Sequence, residues 1–272
     1  MTPNLRRVQT RLGAIALVDQ GTGTPVVFWP SLFSDHRLYA HVVALLGRGW
    51  RTLRIDGPGF GQSDPPISEV QPWVYADVVL EILDTLGVRQ ALIAGCSWGG
   101  QVAAHIGVRA PERVHGVLIM NTPLGPSRGG HAFELIGTRL FSSTTFWGRG
   151  VARSMFSTTS RAAYPERVSA FAGAFTSFGK AAAVLTARTV LTRFPGLGDV
   201  LPRLGVPATI MMGAEDRLYP VAHMLPFAAL APSARIEIVP TCGHLAPLEV
   251  PQAVVGALEQ LAIDSGISAS QG

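Results

Sequence analysis

The chain has few cysteines and no long apolar run. Cys96 and Cys242 are its only cysteines, too few for the disulfide framework of a small secreted domain. No uninterrupted apolar stretch reaches the roughly 18 residues that a membrane-spanning helix needs. Residues 1–11 are polar and lack the apolar stretch of a secretory signal. We therefore expect a cytoplasmic protein with no membrane span.

Lysine is almost absent, because Lys180 is the only lysine among 22 basic residues. The arginines are scattered along the chain, and Arg6 and Arg7 form the only adjacent pair. The 18 acidic residues leave a net charge of +4, and no basic stripe with interleaved aromatic residues is present. The charge predicts a solvated basic surface and no nucleic-acid partner.

Apolar residues make up 47% of the 272 positions, which is enough for a sizeable core. Strand and helix patterns alternate at short spacing on either side of residues 122–202. This alternation favours an α/β fold with a mostly parallel sheet flanked by helices. We predict a core domain of residues 1–121 and 203–272, with residues 122–202 inserted as a helical cap. Within the core, residues 11–29 predict a hairpin of two strands.

Residues 91–100 have the form of a nucleophile elbow, the strand–turn–helix that presents a catalytic serine. Apolar residues run directly into Gly-Cys-Ser-Trp-Gly, and a helical pattern follows. The two glycines that flank the serine suit so tight a turn, since side chains there would collide. Ser97 is therefore the candidate nucleophile. The same spacing recurs at residues 125–129, but no strand leads directly into it, and Ser127 is interpreted as a loop residue.

A serine hydroxyl needs a general base, and the base needs a group that fixes its tautomer. His244 follows a predicted strand on a loop that can approach Ser97, whereas the other histidines fall on helix or strand patterns or in the insertion. Two adjacent carboxylates, Glu215 and Asp216, follow another strand, and either can supply the third group. The cysteines near these residues are interpreted as small buried residues, and we predict no metal site.

With these residues identified, the chain resembles the α/β-hydrolase superfamily, in particular its capped serine esterases, lactonases and cofactor-free perhydrolases. The resemblance is carried by the glycine loop at residues 56–64, by residues 213–216 and 242–244, and by the chain order of serine, acid and histidine. It implies Asp216 as the acid of a catalytic triad, and it implies no cofactor.

The resemblance also implies two backbone N–H groups that stabilise the oxygen of a tetrahedral intermediate. Trp98, the residue after the serine, is the first donor. The second comes from the loop after Trp29, where relatives usually have His-Gly and this chain has Trp-Pro. Proline has no N–H group. Matching residues 31–35 to a lactonase-like Ser-Leu-Gly-Thr-Asp pattern makes Leu32 the donor and leaves Ser31 as the alternative.

These residues predict a serine hydrolase that acts on a small, largely apolar carboxylic ester or lactone through an acyl-enzyme intermediate. Aromatic residues supply a predicted substrate pocket of Trp29, Phe33, Phe146 and Trp147. The alternatives are a C–C bond hydrolase or perhydrolase with the same triad, or a ligand-binding member of the fold with low turnover. The expected partner is the small-molecule substrate, and the sequence leaves a homo-oligomer open.

Overall fold

A computed structural model describes residues 5–126 and 144–267. Its strands are β1 Leu5–Thr10, β2 Gly13–Gln20, β3 Thr24–Trp29, β4 Trp50–Ile55, β5 Ala91–Cys96, β6 Val114–Met120, β7 Ala208–Gly213 and β8 Ala234–Val239. They form one eight-stranded sheet in the order β1-β2-β4-β3-β5-β6-β7-β8. β2 pairs antiparallel with β1 and β4, and every other neighbouring pair is parallel. The mostly parallel sheet expected from the sequence is confirmed.

Helices lie against the sheet and in the insertion. They are α1 Ala40–Leu45, α2 Pro72–Thr85, α3 Trp98–Arg109, α4 Thr145–Met155, α5 Thr158–Ala163, α6 Pro165–Ala174, α7 Lys180–Ala187, α8 Val221–Ala228, α9 Ala246–Glu249 and α10 Pro251–Asp264. α3 packs on β5 and β6 and also contacts α2, and α10 packs on β6 and β7 and also contacts α1. Within the described ranges, no helix is both long and apolar enough to cross a membrane.

The central strand β5 is buried along its whole length. A parallel sheet that is covered on both faces needs such an uninterrupted apolar strand. Cys96, Gly213 and Val239 are the last residues of β5, β7 and β8, which run parallel in the same sheet. The loops that follow these strands therefore meet at one edge of the sheet, where open α/β folds place their ligand sites.

The strand pairing near the start of the sheet differs from the predicted hairpin. β2 pairs with β1 and β4, whereas β3 pairs with β4 and β5, so β4 lies between the two strands. The hairpin prediction is therefore wrong. Turn residues indicate only that the chain reverses. They do not indicate whether a later strand pairs between the two strands that the turn connects. The turn after β2 packs closely on β4, because a Cβ added at Gly21 would lie 2.1 Å from the carbonyl oxygen of Trp50 at the start of β4.

The described part of the predicted insertion, residues 122–126 and 144–202, contains helices and no strand. α4 and α6 pack against each other. Phe175, which follows α6, packs on Phe33 of the core with ring centroids 5.0 Å apart. The insertion and the sheet domain therefore share one continuous apolar cluster. Ser127, interpreted above as a loop residue, lies outside the described residues.

Gly95→Ala is expected to destabilise the fold by about 3 kcal/mol. The added Cβ would lie 1.9 Å from the carbonyl oxygen of Gly99, which is backbone and cannot move aside. Gly256→Ala is the matched control, because a Cβ at this position on α10 meets nothing within 4 Å. Alanine in place of a helical glycine stabilises by about 0.5–1 kcal/mol. Urea unfolding measures both variants, and equal stabilities would contradict the close packing of β5 on α3.

Candidate active site

The turn between β5 and α3 holds Ser97 in a backbone conformation that side chains rarely adopt, with φ +55° and ψ −110°. The flanking glycines make the turn possible. A Cβ at Gly95 would strike the carbonyl oxygen of Gly99, and a Cβ at Gly99 would lie 2.2 Å from that of Trp29. The elbow geometry expected from the sequence is present, with the serine at the sheet edge described above.

His244 and Asp216 form a buried pair at the same edge. Nδ1 of His244 lies 2.8 Å from Oδ2 of Asp216. The other carboxylate oxygen accepts the N–H groups of Leu218 and Tyr219 at 2.9 and 3.1 Å. An ionised carboxylate only accepts hydrogen bonds, so Nδ1 carries the proton of this bond. The Nε2 atom of His244 is then left as a base for a second partner.

The loop that carries His244 packs directly against the elbow. The thiol of Cys96, the residue before Ser97, donates to the carbonyl oxygen of His244 at an S–O distance of 3.3 Å. Asn121, which follows β6, donates to the carbonyl oxygen of Gly243 at 2.8 Å. These contacts bring the three predicted triad residues into one neighbourhood, although they lie far apart along the chain.

The two adjacent carboxylates after β7 bind different partners. Glu215 accepts the backbone N–H of Thr158 at 3.0 Å and the hydroxyl of Thr159 at 2.8 Å, both on α5 of the insertion. Asp216 binds His244 instead. The geometry therefore favours Asp216 over Glu215 as the partner of the imidazole, which the resemblance also implies.

Glu249, at the end of α9, is a buried carboxylate that the sequence interpretation does not assign to the site. It accepts three backbone N–H groups, from Gly243 at 3.0 Å, from Leu245 at 2.9 Å and from Ser157 at 2.8 Å. Two of these residues flank His244, and the third begins the turn into α5. The signal in the sequence is a lone carboxylate among apolar residues just after the histidine.

The insertion also contacts His244 itself. The backbone N–H of His244 donates to the carbonyl oxygen of Met155, at the end of α4, at 2.7 Å. The hydroxyl of Ser157 donates to the carbonyl oxygen of Thr241 at 2.8 Å. Together with Glu249, these bonds fix the turn between α4 and α5 to the loop at residues 241–245.

The predicted oxyanion donors lie on both sides of the elbow. Trp98 is the first residue of α3, where backbone N–H groups have no partner within the helix. Leu32 is buried on the loop after β3, which reaches the elbow because the backbone of Trp29 touches Gly99. Phe33 has a φ of +62° and stands where the lactonase-like pattern has glycine. The loop thus keeps the left-handed backbone conformation that favours glycine, although phenylalanine occupies the position.

Three of the four predicted pocket residues lie in the interior or at its border. Trp29 packs edge-on against Trp98 at 5.4 Å, and Phe33 packs against Phe60 at 6.3 Å. Trp147 is half-buried against the core. Phe146 is 80% exposed, so the structure does not place it in an enclosed pocket. The sequence pattern fails here because adjacent residues of a helix point in different directions.

The cysteines stay neutral. Burial raises the pKa of the Cys96 thiol well above its usual range, and the nearby carboxylates of Asp216 and Glu249 raise it further. Burial likewise raises the pKa of Cys242, again with Glu249 adding to the shift. A thiol attacks as the thiolate, so Ser97 is the better candidate nucleophile.

One group of potential metal ligands occurs in the described ranges, namely Asp35, His36 and Asp56. Their polar atoms already bond to one another or to protein. Nδ1 of His36 lies 2.7 Å from Oδ1 of Asp56, and Asp35 accepts three bonds from the guanidinium of Arg37. The second oxygen of Asp56 accepts the N–H of Gln62 at 2.9 Å. These bonds brace the glycine loop beside the site.

Asp216→Asn is expected to lower kcat for a model ester by roughly a thousandfold, because the imidazole loses the partner that fixes its tautomer. Adding Asn121→Asp should restore part of the loss, since Nδ2 of Asn121 lies 3.5 Å from the same Asp216 oxygen that binds His244. Asn121→Asp alone is the control and places two carboxylates side by side. Steady-state kinetics measure all three variants. Full activity of Asp216→Asn would contradict the pairing.

Glu249→Gln is expected to lower kcat by about tenfold with little change in KM. Its single amide oxygen cannot replace both carboxylate oxygens, so at least one backbone N–H beside His244 loses an acceptor. Glu215→Gln is the matched control, because it loosens α5 without touching the neighbours of His244. Thermal melts and kinetics on both variants separate the two effects. A kcat for Glu249→Gln equal to that of Glu215→Gln would show that Glu249 does not position the histidine.

Comparisons with known proteins agree with this architecture. A family model described as alpha/beta hydrolase fold matches residues 24–251. A 2-hydroxy-6-oxononadienedioate/2-hydroxy-6-oxononatrienedioate hydrolase from Pseudomonas sp. is 26% identical over 258 residues, which cover 87% of this chain and 87% of that protein. The sequence relative and the family model thus agree on the class of protein.

Two solved structures share the fold. A thermophilic esterase from Thermogutta terrifontis has a TM-score of 0.85 at 22% identity, covering 96% of this chain and 99% of that one. The enol-lactonase from Burkholderia xenovorans LB400 has a TM-score of 0.87 at 20% identity, covering 95% of this chain and 100% of that one. Because the family model spans most of the sequence, the chain belongs to the alpha/beta hydrolase family and is a hydrolase.

Proposed function

We propose that the protein is a serine hydrolase that acts on a small, largely apolar carboxylic ester or lactone. The observation that carries this proposal is the buried His244–Asp216 pair, held on a loop that touches the elbow of Ser97. A base with a fixed tautomer beside a strained serine is the arrangement that activates a hydroxyl at neutral pH.

In the proposed reaction, Oγ of Ser97 attacks the ester carbonyl carbon and Nε2 of His244 takes the hydroxyl proton. Asp216 stabilises the imidazolium that forms. The backbone N–H groups of Trp98 and Leu32 stabilise the negative oxygen of the tetrahedral intermediate. The imidazolium then protonates the leaving alcohol. A water molecule, deprotonated by His244, hydrolyses the acyl-enzyme and regenerates the serine.

Residues 122–202 act in this proposal as a cap over the site. The support comes from their described part, which bonds to the His244 loop through Met155 and Ser157. Phe175 extends the aromatic packing from the insertion to Phe33, the neighbour of Leu32. A cap attached in this way excludes water from the acyl-enzyme and supplies apolar surface to the substrate.

A neutral apolar substrate fits the charges around the site. Trp29, Trp98 and Phe60 are buried beside the elbow. In the part of the chain that the structure describes, the buried arginine is Arg54, which lies on β4 and donates to Gln20. The side chains that pack around the elbow are aromatic, so they favour an uncharged ester or lactone.

A C–C bond hydrolase is the second candidate, because the Pseudomonas relative is named for a dienedioate substrate. The same triad can serve that reaction. Arg188 and Arg193, after α7, both pair with Glu69. A dienedioate bound by these arginines would have to displace Glu69, and for this reason we place the ester first.

Wild-type protein is expected to hydrolyse p-nitrophenyl esters of short to medium acyl chains, and Ser97→Ala is expected to lose roughly a thousandfold or more in kcat/KM. A fluorophosphonate should label Ser97, as peptide mass spectrometry will show. Cys96→Ala is the matched control and should keep the label, because the neighbouring thiol is neutral. Equal ester hydrolysis by wild type and Ser97→Ala would remove the serine from the mechanism.

The same assay separates the two candidate reactions. Wild type is offered the ester panel, a lactone panel and a 2-hydroxy-6-oxo-dienedioate under identical conditions. The proposal predicts the highest kcat/KM among the esters or lactones. Turnover of the dienedioate alone, lost in Ser97→Ala, would establish the C–C hydrolase instead.

A further inference from the structure

Strand β8 forms one edge of the sheet, and among the described residues its only strand partner is β7. Three of its six side chains, those of Arg235, Ile236 and Ile238, are exposed. Ile236 is 36% exposed and Ile238 is 49% exposed, which is unusual for isoleucine in a strand. An open edge with exposed apolar side chains is a surface that can pair with another strand.

The direction of the backbone groups of β8 follows from one hydrogen bond. The carbonyl oxygen of Val239 accepts the N–H of Ala214, so the polar backbone groups of Val239 point towards β7. Backbone groups alternate with a period of two along a strand. Those of Arg235 and Glu237 therefore also point towards β7, and those of Ala234, Ile236 and Ile238 point outward.

We propose that this outer edge is the interface of a homodimer in which two copies of β8 pair antiparallel about Ile236. The two eight-stranded sheets then join into one continuous sheet across a two-fold axis. Ile236 faces Ile236 of the second copy, and their outward N–H and carbonyl groups bond to each other. Ala234 faces Ile238 of the second copy, and the N–H of that Ile238 bonds to the carbonyl oxygen of Ala234. The N–H of Ala234 already donates to the carbonyl oxygen of Ala231 at 3.2 Å and takes no part. The proposal is independent of the proposed function.

Three registers let at least two outward-pointing residues of each strand bond to the other strand: the one centred on Ile236 and those shifted by two residues in either direction. The charges on β8 favour the first. Centred on Ile236, the pairing sets Arg235 opposite Glu237 of the second copy, and symmetry produces this ion pair twice. A shift of the partner strand by two residues in either direction sets Arg235 opposite Arg235 or Glu237 opposite Glu237. Like charges directly opposite each other destabilise a strand pair, so the sequence of β8 is complementary to itself in one register.

Neighbouring contacts agree with this arrangement. Arg235 pairs with Asp264 of α10 at 2.9 Å, so Arg235 and Glu237 lie on the α10 face of the sheet and Ile236 and Ile238 on the opposite face. One face of the interface is then ionic and the other apolar. Leu225 of α8, a helix that contacts β8, is also exposed and can add apolar area. An interface built mainly on one six-residue strand is small, and it predicts a reversible dimer.

Charged residues on an edge strand have an alternative explanation, because they also protect the edge against pairing. Two variants in an Asp264→Asn background, which removes the bond within the chain, separate the explanations. Glu237→Arg places two arginines on β8, and Arg235→Glu places two glutamates there. Each variant alone sets like charges opposite each other in the proposed register, whereas a mixture of the two restores both ion pairs.

Sedimentation velocity across the micromolar range is the test. We expect wild type and Asp264→Asn to dimerise with rising concentration, each charge variant to raise the dimer Kd by about tenfold or more, and an equimolar mixture to recover the dimer. A monomeric wild type overturns the proposal and leaves this edge to an extended segment of another protein. A mixture no more dimeric than its components, or a dimer insensitive to both variants, overturns it as well.

Discussion

The backbone turn at Ser97 is the constraint on which the rest of the site depends. Atoms on both sides hold it, since Gly95 packs on the carbonyl group of Gly99, and Gly99 packs on that of Trp29. The Trp29 carbonyl oxygen is itself fixed, because it accepts the hydroxyl of Tyr39 at 2.8 Å. A strained residue costs about 1–3 kcal/mol and persists where its surroundings determine it fully. Here the surroundings are the buried strand and helix, so the serine hydroxyl belongs to the rigid part of the molecule.

The histidine side of the site is built in a different way. Two carboxylates hold the loop that carries His244. Asp216 binds the imidazole, and Glu249 accepts the backbone N–H groups on either side of His244. Glu215 uses the same chemistry on the insertion. Three buried or half-buried carboxylates thus connect the end of the sheet, the histidine loop and the helical insertion. Backbone N–H groups, which any sequence provides, are the partners in most of these bonds.

The fold and the positions of the three proposed triad residues are predictable because they depend on local patterns. β5, α3 and β6 follow the expected bounds closely, and Ser97, Asp216 and His244 each follow a strand that the apolar runs reveal. The hairpin at residues 11–29 is not predictable in the same way, because strand partners are chosen across the whole sheet. The prediction that Phe146 lines the pocket is not supported for a related reason, since composition does not indicate which side of a helix faces inward. Glu249 is missed because its role lies in three bonds to backbone atoms.

The turn between α4 and α5 is the place where the insertion is fixed to the histidine loop. Met155, Ser157 and Thr158 each bond there to residues of the sheet domain. Because this turn is bound through its backbone, a motion of the insertion that keeps these bonds would leave the position of His244 unchanged. In the proposed function, such a motion would open the site to substrate on the side of the insertion away from His244 and would keep the catalytic base in place.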